Sequence, residues 1–282
     1  MILVTGATGT VGREVLRRIG PGPAVRAMAR QPERVVAGRG TVEAVHGDYD
    51  DPGSLARAVR GVDTAFLVTS RVGRDDDERF LAAARSAGVR HVVKLSAAAV
   101  EDGGADDLIT RWQRGNEEAL RGSGMEWTLL RPRSFMSNAL SWAGAVRAEG
   151  VVRGLYGTSP NACVDPGDIA EVAVRAFGEP GHTGRVHTLT GPEALSAVEQ
   201  TAQLSVLLGR PLRFEEWDPE QARAVWGARY PEAVAEALLQ SAERQRAGAK
   251  AGVGSTVADV VGRPARSFRE WAGEHLTAFG PR

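Results

Sequence analysis

The sequence predicts an α/β fold: a doubly wound parallel sheet with a smaller, mostly helical C-terminal region. Three observations carry that expectation. An apolar strand at 2–4 runs straight into glycines at 6, 9 and 12 and then into an amphipathic helix. Strand-like and helix-like segments alternate from there to residue 131, the order that right-handed crossovers turn into a parallel sheet. Thr64-Ala-Phe-Leu-Val68 is almost wholly apolar, as suits a central strand covered on both faces.

The elements follow in order. Val11, Val15, Leu16 and Ile19 recur on one face of the first helix, the spacing that lays a helix on a sheet. Pro21-Gly22-Pro23 breaks the chain, and 24–29 reads as the second strand. A short third strand at 42–45 leads through Gly47-Asp48 into a brief helix at 54–60. The central strand at 64–68 precedes a helix at 77–87 that carries Phe80, Leu81 and Ala84. Strands at 91–95 and 127–131 flank a helix at 107–121, with Ile109, Trp112, Asn116, Ala119 and Leu120 expected on one side. Beyond Pro132 the periodicity loosens. Asp168 reads as the cap of a helix to 177, with Glu171 completing a capping box, and 186–189 as a returning strand. Ser196 with Glu199 and Ser267 with Glu270 repeat that signature, Asp218-Pro219 opens another helix, and 212–217 is extended. The expected division is a sheet domain over 1–155, with 160–192 returning to it, and a mostly helical 195–282. Such an appendage either closes over a substrate or serves stability and assembly alone.

At 282 residues and 43% hydrophobic, the chain can bury a full α/β core. Its 35 basic and 35 acidic residues cancel and intermix, so nothing steers a nucleic acid toward it. Nearly all the basic residues are arginine; the lysines are Lys94 and Lys250, which reads as codon bias rather than adaptation. The single cysteine, Cys163, excludes an intrachain disulfide framework and a thiolate cluster. Five histidines show no i, i+4 pair, so no metal is expected. No apolar run approaches the roughly 20 residues of a membrane span, and a strand beginning at Ile2 leaves no room for a signal peptide. A cytoplasmic protein without a membrane partner is the expectation.

The glycine turn points to a dinucleotide. Bare backbone at Gly6, Gly9 and Gly12 lets the chain approach a pyrophosphate, and the helix that follows turns its free N–H groups and positive dipole end to the phosphates. A glycine-rich tight turn is the bland reading; the preceding strand and following helix favour the nucleotide. In such sheets an acid at the end of the second strand holds a ribose 2′-hydroxyl, whereas an arginine accommodates a 2′-phosphate. Here the strand ends Met28-Ala29-Arg30-Gln31, with Arg34 one turn on, which favours NADPH over NADH. Glu33 is the rival, set beyond the strand end on a helical turn, and ordinary solvated arginines are the other alternative. Asp48 is placed to hydrogen-bond the adenine or merely to make a turn.

Several blocks occur in a specific order: Gly6 to Gly12, Arg26 to Arg30, Gly47-Asp48, His91-Val-Val-Lys-Leu-Ser96, and Trp127-Thr-Leu-Leu-Arg-Pro132 with Phe135-Met136 and Asn138. Val164-Asp165, Asp168-Ile169-Ala170, Leu189-Thr-Gly-Pro-Glu193 and Gly262-Arg-Pro264 complete the set. Together they resemble the NmrA-like atypical short-chain dehydrogenases/reductases over nearly the whole length. The resemblance implies a Rossmann-like NAD(P)(H) domain with a small C-terminal substrate region. It covers quinone and azo reductases, ketone and imine reductases of secondary metabolism, and redox-sensing regulators without turnover. It assigns Thr5 to Gly12, including Thr8, Thr10 and Val11, to the phosphate loop, and Arg30 to the 2′-phosphate clamp. Val68-Thr69-Ser70 fall beneath the nicotinamide ribose, Ser96 at the catalytic serine, and Pro132 to Phe135 under the nicotinamide.

One family feature is missing. Ordinary short-chain reductases use Tyr-x-x-x-Lys, in which lysine lowers the phenol's pKa and tyrosine delivers the proton. Four residues after each of the three tyrosines stand Gly53, Pro160 and Val234. On the helix that should carry the pair the residues are Ile109-Thr-Arg-Trp-Gln113, and glutamine donates a hydrogen bond but releases no proton at neutral pH. Two functions survive. The chain is an NADPH-dependent reductase of a carbonyl, ketone or quinone, on an aromatic small molecule, with Ser96 hydrogen-bonding the acceptor oxygen. Alternatively it is a regulator that senses the dinucleotide and signals to a partner protein. Phe135, Met136, Trp142, Trp217, Trp226, Tyr230 and Trp271 supply planar apolar surface for such a ligand or simply pack the core. Ser96 equally suits a serine that satisfies a local backbone group.

Overall fold

The computed structural model describes residues 1–38 and 40–280. In chain order, β1 (Ile2–Val4) leads to α1 (Thr10–Arg18), β2 (Val25–Ala29) and β3 (Val42–His46), then α2 (Pro52–Ala58), β4 (Thr64–Leu67) and α3 (Asp76–Ser86). β5 (His91–Leu95), α4 (Leu108–Arg121) and β6 (Glu126–Pro132) follow, then α5 (Ala143–Glu149), β7 (Val151–Gly154), α6 (Pro166–Gly178) and β8 (Arg185–Leu189). The seven-stranded sheet runs β3-β2-β1-β4-β5-β6-β8, parallel throughout. The strand order reverses between β1 and β4, which leaves a crevice at their carboxyl ends. This is the predicted Rossmann-like sheet.

Strand periodicity sorts the core onto two faces. Val4, Phe66, Val93 and Leu130 point toward α1 and α6 and meet Val15, Leu16, Ile169 and Val172. Their neighbours Leu3, Leu67, Val92 and Leu129 point the other way, onto Leu55, Phe80, Leu81 and Leu120 of α2, α3 and α4. All four residues of β4 are buried, which explains its uninterrupted apolar run.

The C-terminal part continues with α7 (Ala197–Leu208), β9 (Arg213–Glu216), α8 (Pro219–Gly227), α9 (Glu232–Arg246), α10 (Thr256–Val261), α11 (Phe268–Glu274) and α12 (Leu276–Phe279). The capping boxes at Ser196, Asp218 and Ser267 form as their spacing requires. β9 is the expected extended piece, but it pairs with β7, which the sequence did not announce. A 3₁₀ run at Met136–Trp142 and α5 are equally unannounced: each is too short to establish a period. A third core of Met136, Val146, Val152, Leu204, Phe268 and Trp271 joins these pieces.

Two local expectations are corrected. The cap of α6 is Asp165, which accepts from Gly167 N at 2.7 Å, with Pro166 opening the helix. Asp168 lies inside the first turn, fully buried, where it accepts from Arg266 N at 2.7 Å and from Arg263 at 2.8 Å. It therefore ties the C-terminal loop to α6. The second correction concerns α4, whose buried face is Thr110, Gln113, Asn116, Glu117 and Leu120, while Ile109, Trp112 and Ala119 are only half-buried. Hydrophobic periodicity missed most of this face because its side chains are polar: Glu117 is answered by Arg131 and Ser96, and Thr110 by Asp107.

Candidate functional site

The crevice at the carboxyl ends of β1 and β4 is a cleft of about 490 Å³. Thr5 fixes its floor: the hydroxyl accepts from Val68 N at 2.8 Å and donates to Val68 O. The chain then turns through Gly6 in the left-handed region, φ +57°, and Gly9 N closes onto Gly6 O at 2.8 Å. A Cβ on Gly12 would stand 2.2 Å from Gly6 O, so only glycine lets α1 start this close to the turn. Gly9 caps α1 without a side-chain acceptor, and no acid occupies the first turn. Free N–H groups and an uncompensated dipole therefore face the cleft, a cradle that fits a diphosphate.

Gly6, Thr8, Gly9, Thr10, Val11 and Gly12 all line this cleft. So do Arg30, Asp48, Val68, Thr69, Ser70, Ser96, Gln113 and Phe135. Pro132 is the exception: it ends β6 and borders a neighbouring cavity instead, because Arg133 and Ser134 intervene before the chain reaches the cleft at Phe135. Arg30 is exposed at the end of β2 on the cleft wall, while Glu33 sits outside on a 3₁₀ turn, Pro32–Arg34. Asp48 spends one carboxylate oxygen on Asp50 N at 3.0 Å. Sequence reasoning missed Tyr49, Arg71 and Asp76 on the rim. Arg71 Nε donates to the buried Asp76 at 2.8 Å, a pairing of loop residues that no local pattern signals.

The supposed catalytic serine is engaged elsewhere. Ser96 Oγ donates its single proton to Glu117 Oε1 at 2.5 Å. Glu117 is fully buried and also accepts from Arg131 at 2.9 and 2.6 Å, with Arg121 at 3.2 Å. Burial works to raise its carboxyl, but the hydrogen bonds from Arg131 and Ser96 outweigh that and hold it below the ordinary range. Ser96 thus lines the cleft as an anchored residue, not as a free donor. Tyr49 is no substitute acid: its phenol donates to Val68 O at 2.9 Å, and burial pushes its pKa up. Gln113 is different. Its side chain is buried against the cleft, and Oε1 has no hydrogen-bond partner among the described residues.

Behind the strand ends, Thr69 donates to Asp77 at 2.6 Å, and Asp77 pairs with Lys94 at 2.6 Å, both fully buried. This pair joins α3 to β5 directly under the cleft.

A second cavity, of about 540 Å³, adjoins the first. Phe135, Met136, Trp217 and Trp226 line it together with Trp142, so four of the five expected substrate residues converge and Gln113 lies in the cleft. Trp271 instead packs the core at 1% exposure, and Tyr230 is exposed at the surface. The junction is Phe135, which is seated by a bridge to Val164 and by Met136 N donating to Val164 O at 3.0 Å.

Comparison with known proteins bears on this geometry. A family model described as NAD(P)H-binding matches residues 6–180. A Streptomyces griseus protein named (4-alkanoyl-5-oxo-2,5-dihydrofuran-3-yl)methyl phosphate reductase is 60% identical over 282 residues, covering 100% of both chains. An NAD(P)H azoreductase of Xenophilus azovorans is 39% identical, with 99% of each chain covered. Among solved structures, the Escherichia coli quinone oxidoreductase QOR2 complexed with NADPH superposes with a TM-score of 0.83 at 27% identity, covering 98% of this chain and 100% of that one.

Proposed function

Because the chain belongs to the NAD(P)H-binding family and is an NAD(P)H-dependent oxidoreductase of the NmrA-like, atypical short-chain type, we propose that it reduces a conjugated, phosphate-bearing lactone with NADPH. The substrate class is that for which its 60%-identical relative is named, a 4-alkanoyl-5-oxo-2,5-dihydrofuran carrying a methyl phosphate. One observation carries the reading: a dinucleotide cleft in which Ser96 and Tyr49 both commit their protons to protein acceptors opens at Phe135 onto an aromatic cavity. The dihydrofuran ring holds a double bond conjugated to two carbonyls, so hydride addition leaves a charge spread over both oxygens. Such a product takes its proton from water and needs no dedicated acid. Quinones share that property, which keeps the expected aromatic carbonyl substrate as the second reading.

NADPH, when bound, supplies the hydride. The Gly6–Gly12 turn and the α1 N-terminus hold its diphosphate, Arg30 its 2′-phosphate, Asp48 its adenine side, and Val68 to Ser70 the nicotinamide ribose. Phe135 flanks the opening through which the nicotinamide meets the substrate. Gln113 donates to the accepting carbonyl from its side-chain amide N–H, and Ser96 keeps Glu117 and Arg131 in place behind it. The region 195–282, through Trp217 and Trp226, covers the alkanoyl chain, while 1–155 with 160–192 serves the cofactor.

The test is NADPH oxidation by the purified protein, followed by its absorbance, with a synthetic 4-alkanoyl-5-oxo-2,5-dihydrofuran-3-yl methyl phosphate. Stoichiometric consumption with a product two hydrogens heavier supports the reading. No consumption with that compound, alongside brisk consumption with a quinone, replaces it with the second.

A further inference from the structure

A third cavity, of about 310 Å³, shares Phe135 with the other two. Its walls are the turn after β5, the start of α4, and the end of α9 with the loop beyond it. The charged residues lining it are Asp107, Arg133, Arg244 and Lys250. Arg244 is paired with Asp107 at 2.6 Å. Arg133 reaches Asp102 only at 3.4 Å, and the Nε atoms of both arginines are buried without hydrogen-bond partners among the described residues. Lys250 forms no ion pair among the described residues; its Nζ donates to Ser241 Oγ at 2.9 Å and Gln245 Oε1 at 3.5 Å.

Three cations thus stand against two carboxylates, Asp107 committed to Arg244 and Asp102 held loosely by Arg133. Burial, with Arg244 close by, holds the Lys250 pKa down to about 8. An unpaired, partly buried ammonium beside two guanidinium groups is costly, and an anion removes the cost. The choice of residue adds an independent argument. Almost every basic side chain of this protein is arginine, and its lysines, Lys94 and Lys250, are both drawn inside. Lys94 answers Asp77. Lys250 has no such answer among the described residues.

We propose that this cavity is an anion subsite that receives the phosphate ester of the substrate, with Lys250, Arg133 and Arg244 as its donors. The proposal rests on the reduction proposed above for the substrate's identity. Because Phe135 borders all three cavities, a small ring held there has its phosphate arm toward Lys250 and its acyl arm toward Trp217 and Trp226. Charge-assisted hydrogen bonds to a phosphate dianion supply both affinity and orientation.

The experiment has two arms. In the first, kcat/KM is measured for the phosphorylated lactone and for its phosphate-free hydroxymethyl analogue, with wild type, Lys250→Met and Lys250→Arg. The preference for the phosphorylated compound is expected to fall about ten- to a hundredfold in Lys250→Met and to return largely in Lys250→Arg. In the second, inorganic phosphate is titrated calorimetrically into protein whose cofactor cleft is saturated with NADP⁺; heat in wild type and none in Lys250→Met is expected. An unchanged preference, or phosphate heat undiminished in the variant, overturns the subsite. If wild type reduces neither lactone, the proposed reaction falls and the calorimetric arm alone decides the subsite. Should Lys250→Met not fold, Arg133→Gln is read in both arms on the same terms.

Discussion

At Gly12 one methyl group decides whether the cofactor loop closes. A Cβ there meets a backbone oxygen at 2.2 Å, which no side-chain rotation relieves. Gly12→Ala is therefore expected to weaken NADPH binding by more than about tenfold and to cost roughly 1–3 kcal/mol of stability, read by fluorescence titration and urea unfolding. Arg30 stands exposed on the cleft wall, so Arg30→Ala should raise KM for NADPH about tenfold more than KM for NADH; equal effects remove it as the 2′-phosphate clamp. Ser96 and Gln113 part company in the same assay. Ser96→Ala removes a donor that Arg131 backs up at Glu117, so turnover should stay within about threefold while stability drops by about 1 kcal/mol. Gln113→Leu should lower kcat by about tenfold, and the reverse ranking restores Ser96 to the chemistry.

Between elements, the Lys94–Asp77 pair is the contact with most at stake. It lies fully buried between β5 and α3, with Thr69 completing the shell of Asp77. Asp77→Asn strands a buried ammonium and should cost about 3–5 kcal/mol in urea unfolding at neutral pH, whereas replacing both partners with apolar residues should recover much of that. A small loss from the single variant shows that water reaches Lys94. Helix boundaries were legible wherever a cap writes its own spacing, as at Ser196, Asp218 and Ser267. They misled at Asp168, whose acid spacing mimics a cap but whose partners, Arg263 and Arg266, lie nearly a hundred residues away.

For the molecule as a whole, the basic cavity links pH to substrate. The folded Lys250 pKa of about 8 lies below the ordinary 10.5, so between those values the unfolded chain binds the extra proton. Lys250 therefore opposes folding at neutral pH, and that penalty shrinks as pH rises from about 8 toward 10.5. Catalysis runs the other way. kcat/KM for the phosphorylated lactone should fall as pH climbs through about 8, because the free enzyme loses its ammonium there, and the fall should be absent with the hydroxymethyl analogue. Equal profiles for the two compounds detach Lys250 from recognition.

The sequence by itself determined the sheet, its helices and the phosphate loop, because strand period, helix period and glycine spacing are local and each residue's neighbours enforce them. It also determined that the Tyr-x-x-x-Lys acid is absent, which a scan of the tyrosines settles. Only the tertiary structure decided that Ser96 gives its proton to Glu117, that α4 turns a polar face inward, and that Lys250 stands beside Arg133 across 116 intervening positions in the chain. Those facts depend on which distant side chain satisfies a buried charge. Charge satisfaction has no period along a chain, so it becomes visible only once the elements are packed.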